Sequence, residues 1–250
     1  MIRGLYTAAA GLATTALRLG VASNNVANAS TPGYKQDRLP EEVGKALDLR
    51  RMATDGDGRA IGSITLGPRS GLAELDLSGG PLQETGNALD VAIAGRGFFA
   101  IRGPDGQVRY TRDGGFSVDS EGTLRARNGF AVLNQDGEPV QLGQGPVEVG
   151  ADGTLAESGE GASRLMIVDF APQQTLKKEG GGLFSLDGDG QPLPATDVQL
   201  YQGYLEGSNV DVTESMVAVM GLVRAYEANQ RLMMAQDESL NRAVNEIGKV

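Results

Sequence analysis

The stretch IRGLYTAAAGLATTALRLGVASNNV, residues 2–26, places apolar or small residues at alternating spacings of three and four. A helix with this repeat carries a heptad seam, a narrow apolar stripe that packs against another helix. The seam positions are Ile2, Leu5, Ala9, Leu12, Ala16, Leu19, Ser23 and Val26. The sequence therefore predicts a first helix that lies against a partner helix.

A second seam with the same spacings lies near the other end of the chain. Its positions are Met216, Val219, Val223, Tyr226, Gln230, Met233, Asp237, Leu240, Val244 and Ile247. The polar members Gln230 and Asp237 either fix register and partner or mark a face that stays in solvent. We predict a last helix of more than thirty residues, capped by Thr213 and ending near Ile247, which needs partners along its length. Matched helices around a separate middle favour an assembly protein over an enzyme.

The first helix also carries a stripe of small residues beside its seam. The stripe consists of Gly4, Ala8, Gly11 and Thr15. We expect the seams to pair the two helices within one subunit and the stripe to contact neighbouring subunits. A simple two-helix hairpin with an exposed alanine-rich back is the alternative. The first helix should end near Asn28, because Pro32 and Gly33 follow.

The middle of the chain has the texture of antiparallel β-structure. Glycines at 106, 114, 122, 129, 137, 145 and 153 recur every eight residues with one step of seven, and most follow Asp, Asn or Glu. Pairs such as Asp113-Gly114 supply the positive φ angles that tight hairpins need. We predict a mainly β central domain of antiparallel hairpins, flanked by terminal helices that pair as a coiled coil. The expected boundaries are 1–33 for the first helix, 34–74 for a linker or arm, 75–205 for the β domain and 206–250 for the last helix.

The composition of the 250-residue chain narrows its chemistry. Without cysteine or histidine, it cannot build a thiolate or imidazole zinc site or a histidine-based triad. The net charge of -10 repels phosphate backbones and anionic lipid surfaces. No run approaches the ~18 apolar residues that span a bilayer. We therefore expect neither nucleic-acid binding nor membrane insertion.

Three short motifs imitate ligand sites but lack the required context. Residues 95–100, GRGFFA, resemble a dinucleotide fingerprint, yet a strand and a turn follow instead of a helix. Asp55-x-Asp57 and Asp187-x-Asp189 resemble calcium loops, but Arg59 and Gln191 occupy the third ligand positions. The sequence thus predicts no catalytic residue, cofactor, metal or small-molecule substrate. A secreted β-rich carbohydrate-active enzyme or binding module with helical oligomerisation ends remains the alternative, since carboxylate pairs are set by fold. An adhesin-like or scaffold protein without a fixed polymer is a third possibility.

Several stretches resemble the bacterial flagellar rod and hook axial proteins, and together they cover nearly the whole chain. The most specific is ASNNVANASTPGYK, residues 22–35, an asparagine-rich helix end followed by a Thr-Pro-Gly-aromatic turn. Its signature residues are Asn24, Asn25, Asn28, Thr31, Pro32, Gly33 and Tyr34. The other similar stretches are LDVAI at 89–93, GRGFF at 95–99, YTRDG at 110–114, QGYLEGSNV at 202–210 and RAYEANQ at 224–230.

The resemblance implies a structural subunit of the rod, the helical drive shaft of the flagellar basal body that crosses the periplasm. Terminal helices would form the inner tube, with the β domain outside. The implied partners are further copies of this chain, other rod and hook axial proteins, and the flagellar type III export apparatus, which acts without a cleaved signal peptide. A cleaved signal peptide over the apolar run 5–17 is the alternative. Residues 237–248 and the modest length are more similar to the proximal than to the distal rod type, whereas residues 40–70 depart most from both.

Overall fold

One long helix lies at each end of the chain. The computed structural model describes residues 2–43, 46–50, 60–65, 68–71, 73–143, 145–157, 160–171, 175–188, 190–195 and 198–247. Within these ranges the helices are α1 (Ile2–Ala27) and α2 (Val212–Ile247). Both predicted helices are confirmed: α1 ends one residue before Asn28, and α2 ends at the expected residue. By length and hydropathy, neither described helix could span a bilayer.

The N-cap of α2 is Asp211, and the predicted cap, Thr213, is wrong. The backbone N–H of Glu214 donates to Asp211 Oδ1 at 2.9 Å, and the N–H of Ser215 donates to the Asp211 carbonyl at 2.9 Å. A cap accepts from the N–H groups of the first turn, and here the helix begins two residues earlier than Thr213 would allow.

Short strands recur throughout the described residues between the helices. The first group is β1 (Asp37–Arg38), β2 (Glu41–Val43), β3 (Ala46–Arg50), β4 (Ala60–Thr65), β5 (Pro68–Ser70), β6 (Glu74–Leu75) and β7 (Leu82–Glu84). The second is β8 (Val91–Gly95), β9 (Phe98–Arg102), β10 (Val108–Thr111), β11 (Phe116–Val118), β12 (Leu124–Ala126), β13 (Ala131–Val132), β14 (Val147–Val149) and β15 (Thr154–Glu157). The third is β16 (Glu160–Arg164), β17 (Ile167–Asp169), β18 (Thr175–Gly180), β19 (Leu183–Asp187), β20 (Leu193–Pro194), β21 (Val198–Gln202) and β22 (Tyr204–Glu206).

Nine of these described strands form one sheet around β9. Its main path is β11-β12-β13-β9-β10-β19-β18, and β17 pairs with both β9 and β20. The register places Tyr110 of β10 opposite Ala100 of β9 and opposite Phe184 of β19, in antiparallel pairs. The prediction of a mainly β, antiparallel middle is confirmed.

Most of the predicted hairpin glycines have the expected backbone. Gly106, Gly122, Gly129, Gly137 and Gly153 have φ between 78° and 88°. The prediction is wrong for Gly114, which is not among the positive-φ glycines. A Cβ at this position would lie 1.7 Å from the Val91 carbonyl oxygen, so glycine is needed there for a close approach of two backbones.

Residues 34–74 contain strands where the sequence predicts only a linker or arm. β3 pairs with β4 and β2 pairs with β5, both antiparallel. The alternation of leucine with charged residues in LDLR, residues 47–50, is the period-two signal that favours a strand. The Asp-Gly run at 55–58 lies outside the described residues.

The chain divides into two units. The helical unit comprises residues 1–26, 37–74 and 211–250, and the β unit comprises residues 27–36 and 75–210. Two apolar clusters form the core of the β unit. One contains Phe99, Ile101, Phe116 and Leu124, and the other contains Phe98, Phe170 and Phe184. The segment that follows α1, including the signature residues from Asn28 to Tyr34, thus belongs to the β unit.

Candidate functional site

α1 and α2 contact each other within the helical unit and run antiparallel. A Cβ added at Gly4 would lie 3.1 Å from Cδ of Gln236, and one added at Gly11 would lie 3.3 Å from Nδ2 of Asn229. Gly11 lies seven residues after Gly4 on α1, whereas Asn229 lies seven residues before Gln236 on α2, so the two helices run in opposite directions. Such distances are tight for a Cβ, so glycine admits these two amide side chains.

The small-residue stripe is therefore the face of α1 that lies nearest α2 of the same chain. Ala8, Gly11 and Thr15 are buried, and Gly4 is half-buried. The sequence predicts that the seam contacts α2, but at Gly4 and Gly11 the stripe does so; contact of the stripe with neighbouring subunits stays a prediction. Residues without long side chains allow the two helices to approach, whereas leucines at these positions would hold the backbones apart.

The predicted seam of α1 lies across the edge of this buried face. Leu5, Leu12, Leu19 and Val26 are half-buried. The alternate members Ala9, Ala16 and Ser23 are exposed, and the side chain of Ile2 lies outside the described residues. An α-helix turns 3.6 residues per turn, so a strict seven-residue repeat drifts relative to one face. The seam leaves a row of small side chains uncovered.

The buried face of α2 is shifted by one residue from much of its predicted seam. Its buried or half-buried positions are Ser215, Val219, Leu222, Asn229, Met233, Gln236, Leu240 and Ala243. Of the predicted seam, Val219, Met233 and Leu240 lie on this face, while Met216, Val223, Tyr226, Gln230, Asp237 and Val244 are exposed and the side chain of Ile247 is outside the described residues. Gln230 and Asp237 therefore mark a solvated face in the single chain. The polar residues that meet α1 are Asn229 and Gln236.

Both helices leave large apolar side chains uncovered. On α2, Met216, Met220 and Val223 share one face and are 52%, 54% and 38% exposed. On α1, Tyr6 and Leu17 are 73% and 59% exposed, and none of the exposed residues described in α1 is charged. Contiguous exposed apolar surface marks an interaction site. These outward faces are the candidate assembly surface.

Three of the stretches that carry the family resemblance meet in a buried ion cluster of the β unit, formed by Lys35, Arg112 and Glu206. Lys35 Nζ lies 2.6 Å from Glu206 Oε1, and Arg112 Nη1 lies 2.9 Å from Glu206 Oε2. The exposed fractions of the three side chains are 0%, 2% and 1%. The sequence prediction missed these residues as a site. The available signal was a single charged residue in each of the stretches 22–35 and 202–210, which are otherwise uncharged, together with Arg112 in the stretch 110–114.

Backbone groups satisfy most of the remaining hydrogen-bonding capacity of the ion cluster. Lys35 Nζ donates to the Ser78 carbonyl at 2.6 Å, and the Gly80 N–H donates to Glu206 Oε1 at 2.8 Å. Arg112 Nη2 donates to the Gly95 carbonyl at 2.9 Å, and its guanidinium lies 5.0 Å from the centre of the Phe98 ring. Burial lowers the pKa of the Lys35 ammonium below its ordinary 10.5, and the Glu206 carboxylate opposes that shift.

Two glycines permit the close packing around the ion cluster. Gly33 has a φ of 67°, and a Cβ there would lie 2.5 Å from the Arg112 carbonyl carbon. A Cβ at Gly80 would lie 2.0 Å from the Gly207 carbonyl oxygen. Both positions therefore require glycine for space, and Gly33 also requires it for its backbone conformation.

The other signature residues shape the chain on either side of α1's end. The Asn25 side chain forms two hydrogen bonds with the backbone of Asp37, at 2.8 and 3.1 Å. The Thr31 N–H donates to the Asn28 carbonyl at 3.1 Å, which closes a turn. Tyr34 is buried, and Lys178 Nζ lies 4.1 Å from the centre of its ring. Asn24 is exposed, and Pro32 lines a shallow groove of about 260 Å³ beside Asp113 and Arg127.

The carboxylates of the described residues do not gather into a ligand cage. No group of three or more Asp or Glu side chains there is placed to hold a metal ion. Asp113, beside the groove, is paired with Arg127 at 3.2 Å. The predicted dinucleotide-like stretch 95–100 crosses from β8 into β9 and so does not open a helix. Its first residue, Gly95 at the end of β8, supplies a carbonyl to the ion cluster.

Models of three protein domains match successive parts of the chain. "Flagella basal body rod protein" matches residues 5–35, "Flagellar hook protein FlgE/F/G D1 domain" matches residues 92–157, and "Flagellar basal body rod FlgEFG protein C-terminal" matches residues 201–246. Together they span α1 with its signature, much of the β unit and α2.

Curated relatives match over nearly their whole length. The flagellar basal-body rod protein FlgF of Caulobacter vibrioides is 32% identical over 252 residues, covering 100% of both chains. FlgG of Bacillus subtilis is 32% identical over 269 residues, covering 98% of this chain and 99% of its own. FlgF of Mesorhizobium japonicum is 32% identical over 249 residues, covering 98% and 97%. Equal identity to both kinds does not separate FlgF from FlgG, but it shows that the chain belongs to the family of flagellar basal-body rod proteins.

Proposed function

We propose that this chain is a structural subunit of the flagellar basal-body rod and assembles with other axial proteins through the outward faces of α1 and α2. The observation that carries the proposal is the exposed apolar surface on both helices of a chain that matches rod proteins end to end. Its role is structural and serves motility; it is not an enzyme. The carbohydrate-active alternative has no specific observation in its favour.

The two helices act as one element of a helical tube. Within a chain, the stripe of α1 contacts α2, and we infer that coiled-coil pairing extends this contact along both helices. Between chains, the exposed seam positions and the apolar face of α2 contact further copies or other axial proteins. The interface includes Ala9, Ala16, Met216, Val223, Tyr226 and Val244, which a single chain leaves exposed.

The proposal extends to the route by which the chain reaches the rod and to its place within the rod. We infer export by the flagellar type III apparatus with α1 retained, because the seam that helps build the assembly surface continues past any cleavage site near residue 23. Mass spectrometry of purified basal bodies would detect residues 5–17 if α1 is retained. The tail at 237–248 supports the proximal over the distal position, and labelling of the chain in isolated rods tests that.

A charge placed on the outward face tests the assembly surface. In cells that lack the native chain, Met220→Glu should abolish swimming and assembly of later axial parts, because it buries an unpaired charge between subunits. Gln107→Glu is the control, since it adds the same charge to an exposed polar position outside α1 and α2. Both purified variants should keep the thermal midpoint of the native chain. Normal swimming of cells with Met220→Glu would overturn the proposal.

A further inference from the structure

The ion cluster joins the two segments of the β unit that lead to the helices. Lys35 follows α1 in the chain, and Glu206 precedes α2. The Gly33 N–H donates to the Glu206 carbonyl at 2.8 Å, and the Gln36 N–H donates to Asn209 Oδ1 at 2.7 Å. We call residues 31–36 and 206–210 the roots of α1 and α2. These hydrogen bonds hold the two roots side by side.

The charges of the ion cluster are unequal. Two cations, Lys35 and Arg112, share the single carboxylate of Glu206, and all three are almost fully buried. Arg112 Nε is also the one fully buried side-chain nitrogen or oxygen among the described residues that lacks a hydrogen-bond partner. Removing the carboxylate would leave two buried cations unpaired, whereas removing Lys35 would leave a matched pair of Arg112 and Glu206. The energetic effects of these two changes must therefore differ greatly.

We propose that Lys35, Arg112 and Glu206 are positioning residues that fix the roots of both helices at one place on the β unit, so that the two segments leading to the helices form a rigid base. Lys35 binds the first root to the Ser78 carbonyl, and Glu206 binds the second root to the Gly80 N–H. Arg112 links Glu206 of the second root to β8, because it donates both to the Glu206 carboxylate and to the Gly95 carbonyl. That the rigid base serves assembly of the rod rests on the proposed function. That the base is rigid does not depend on it.

Apolar side chains could fill the same space without fixing the same geometry. Hydrophobic contact is non-directional, whereas the ion pairs and hydrogen bonds of the ion cluster join particular atoms at defined distances. Removal of charge at Lys35 should therefore loosen the roots more than it lowers the stability of the whole β unit. That separation distinguishes a positioning role from a general contribution to folding.

Hydrogen exchange of the full-length chain tests the unequal charges. For the amides of both roots, Glu206→Gln should lower protection about a hundred-fold or more, and Lys35→Met about ten-fold. Adding Lys35→Met to Glu206→Gln should restore part of the lost protection, because it removes one of two unpaired cations. Arg96→Met is the control: its ion pair with Asp169 is at 3.4 Å, and its side chain is 67% exposed, so root protection should not change. If the double variant is less protected than Glu206→Gln alone, the charge argument fails.

A distance measurement tests the rigid base directly. Because the native chain has no cysteine, spin labels attach only to the cysteines that are introduced. Spin labels on Ser30→Cys, next to the first root, and on Tyr201→Cys, on β21 of the same β unit, are both at exposed positions and report how firmly the first root is held on the β unit. The distance distribution should be narrow in the native background and several-fold broader with Lys35→Met, while amides of β9 and β10 keep their protection. A narrow distribution in Lys35→Met would overturn the proposal. Failure of Met220→Glu to affect swimming would instead refute the assembly surface and leave the rigid base standing.

Discussion

The β unit and the helical unit differ in how completely a single chain buries their apolar residues. Phe98, Phe99 and Phe184 in the β unit are at most 2% exposed, whereas Met216 and Met220 on α2 are more than half exposed. Both units are rich in apolar side chains, so composition does not explain the difference. The β unit completes its core within a single chain, whereas the helices leave large apolar side chains exposed.

Aromatic rings pack against one another in the completed core of the β unit. Phe98 meets Phe170 and Phe184 edge to face, with ring centroids 5.4 and 5.3 Å apart, and Phe99 meets Phe116 at 5.0 Å. Such pairs add to the energy of burial. α2 has a single aromatic residue, Tyr226, which is exposed. Specific contacts between aromatic rings thus stabilise the β unit, whereas the aromatic ring of α2 remains exposed.

The largest effect should come from emptying the β core. Phe99→Ala should lower the free energy of unfolding of the β unit by about 3–5 kcal/mol, because it removes a fully buried ring and leaves a cavity. Urea unfolding followed by circular dichroism measures the change. Leu193→Ala, at a 53% exposed position of the same unit, is the control and should change stability far less. An equal loss in both variants would contradict the view that the β unit has a complete core.

A glycine of α1 offers a change in the opposite direction. Gly20 is exposed, and a Cβ there meets no atom within 4 Å, so Gly20→Ala should stabilise the helix by about 0.5–1 kcal/mol in the isolated chain. Gly11→Ala is the comparison, because its Cβ would press on the Asn229 amide at 3.3 Å and so lose part of that gain. Exchange rates of α1 amides report both. Equal gains at the two sites would argue against the close contact of α1 with α2.

The sequence was informative where periodicity acts locally. The helices, the antiparallel strands and most hairpin glycines follow from spacing, because helix turns and tight hairpins impose their own periods. Which face of α1 is buried did not follow. The seam predicted a leucine-rich contact, but the contact that forms lets Gly4 and Gly11 admit the long polar side chains Gln236 and Asn229.

The spacing of residues along the sequence did not predict contacts between residues that are far apart in the chain. Gly114 follows an aspartate like the hairpin glycines, yet its role is set by Val91 on another strand. The ion cluster joins positions 35, 112 and 206, and nothing in their local patterns indicates that they meet. The family resemblance marked the stretches that contain them, whereas the pairing itself required the fold.

Shortening an exposed side chain of α2 should have almost no effect on the stability of a single chain. Met216→Ala should change the free energy of unfolding by less than about 0.5 kcal/mol, because the side chain is already in solvent. Thermal unfolding of dilute protein measures it. A loss as large as that of Phe99→Ala would mean that α2 is covered in solution, and the contrast between the two units would not hold.

The smallest effect concerns a surface turn of the β unit. Arg109 Nη1 and Nη2 lie 2.9 and 2.8 Å from the two carboxylate oxygens of Asp105, and the hydrogen bonds lower the pKa of Asp105 from 3.8 to about 2. A lowered folded-state pKa stabilises the fold above pH 3.8, and that contribution is lost as the pH falls toward 2. Nuclear magnetic resonance titration of the Asp105 carboxyl carbon should give a midpoint near 2 in the native chain and closer to 3.8 in Arg109→Gln. Since the pair is solvent-exposed, the variant should unfold at nearly the native urea concentration at neutral pH. An unchanged midpoint in the variant would assign the low pKa to the second cause, the Gln107 N–H that donates to Asp105.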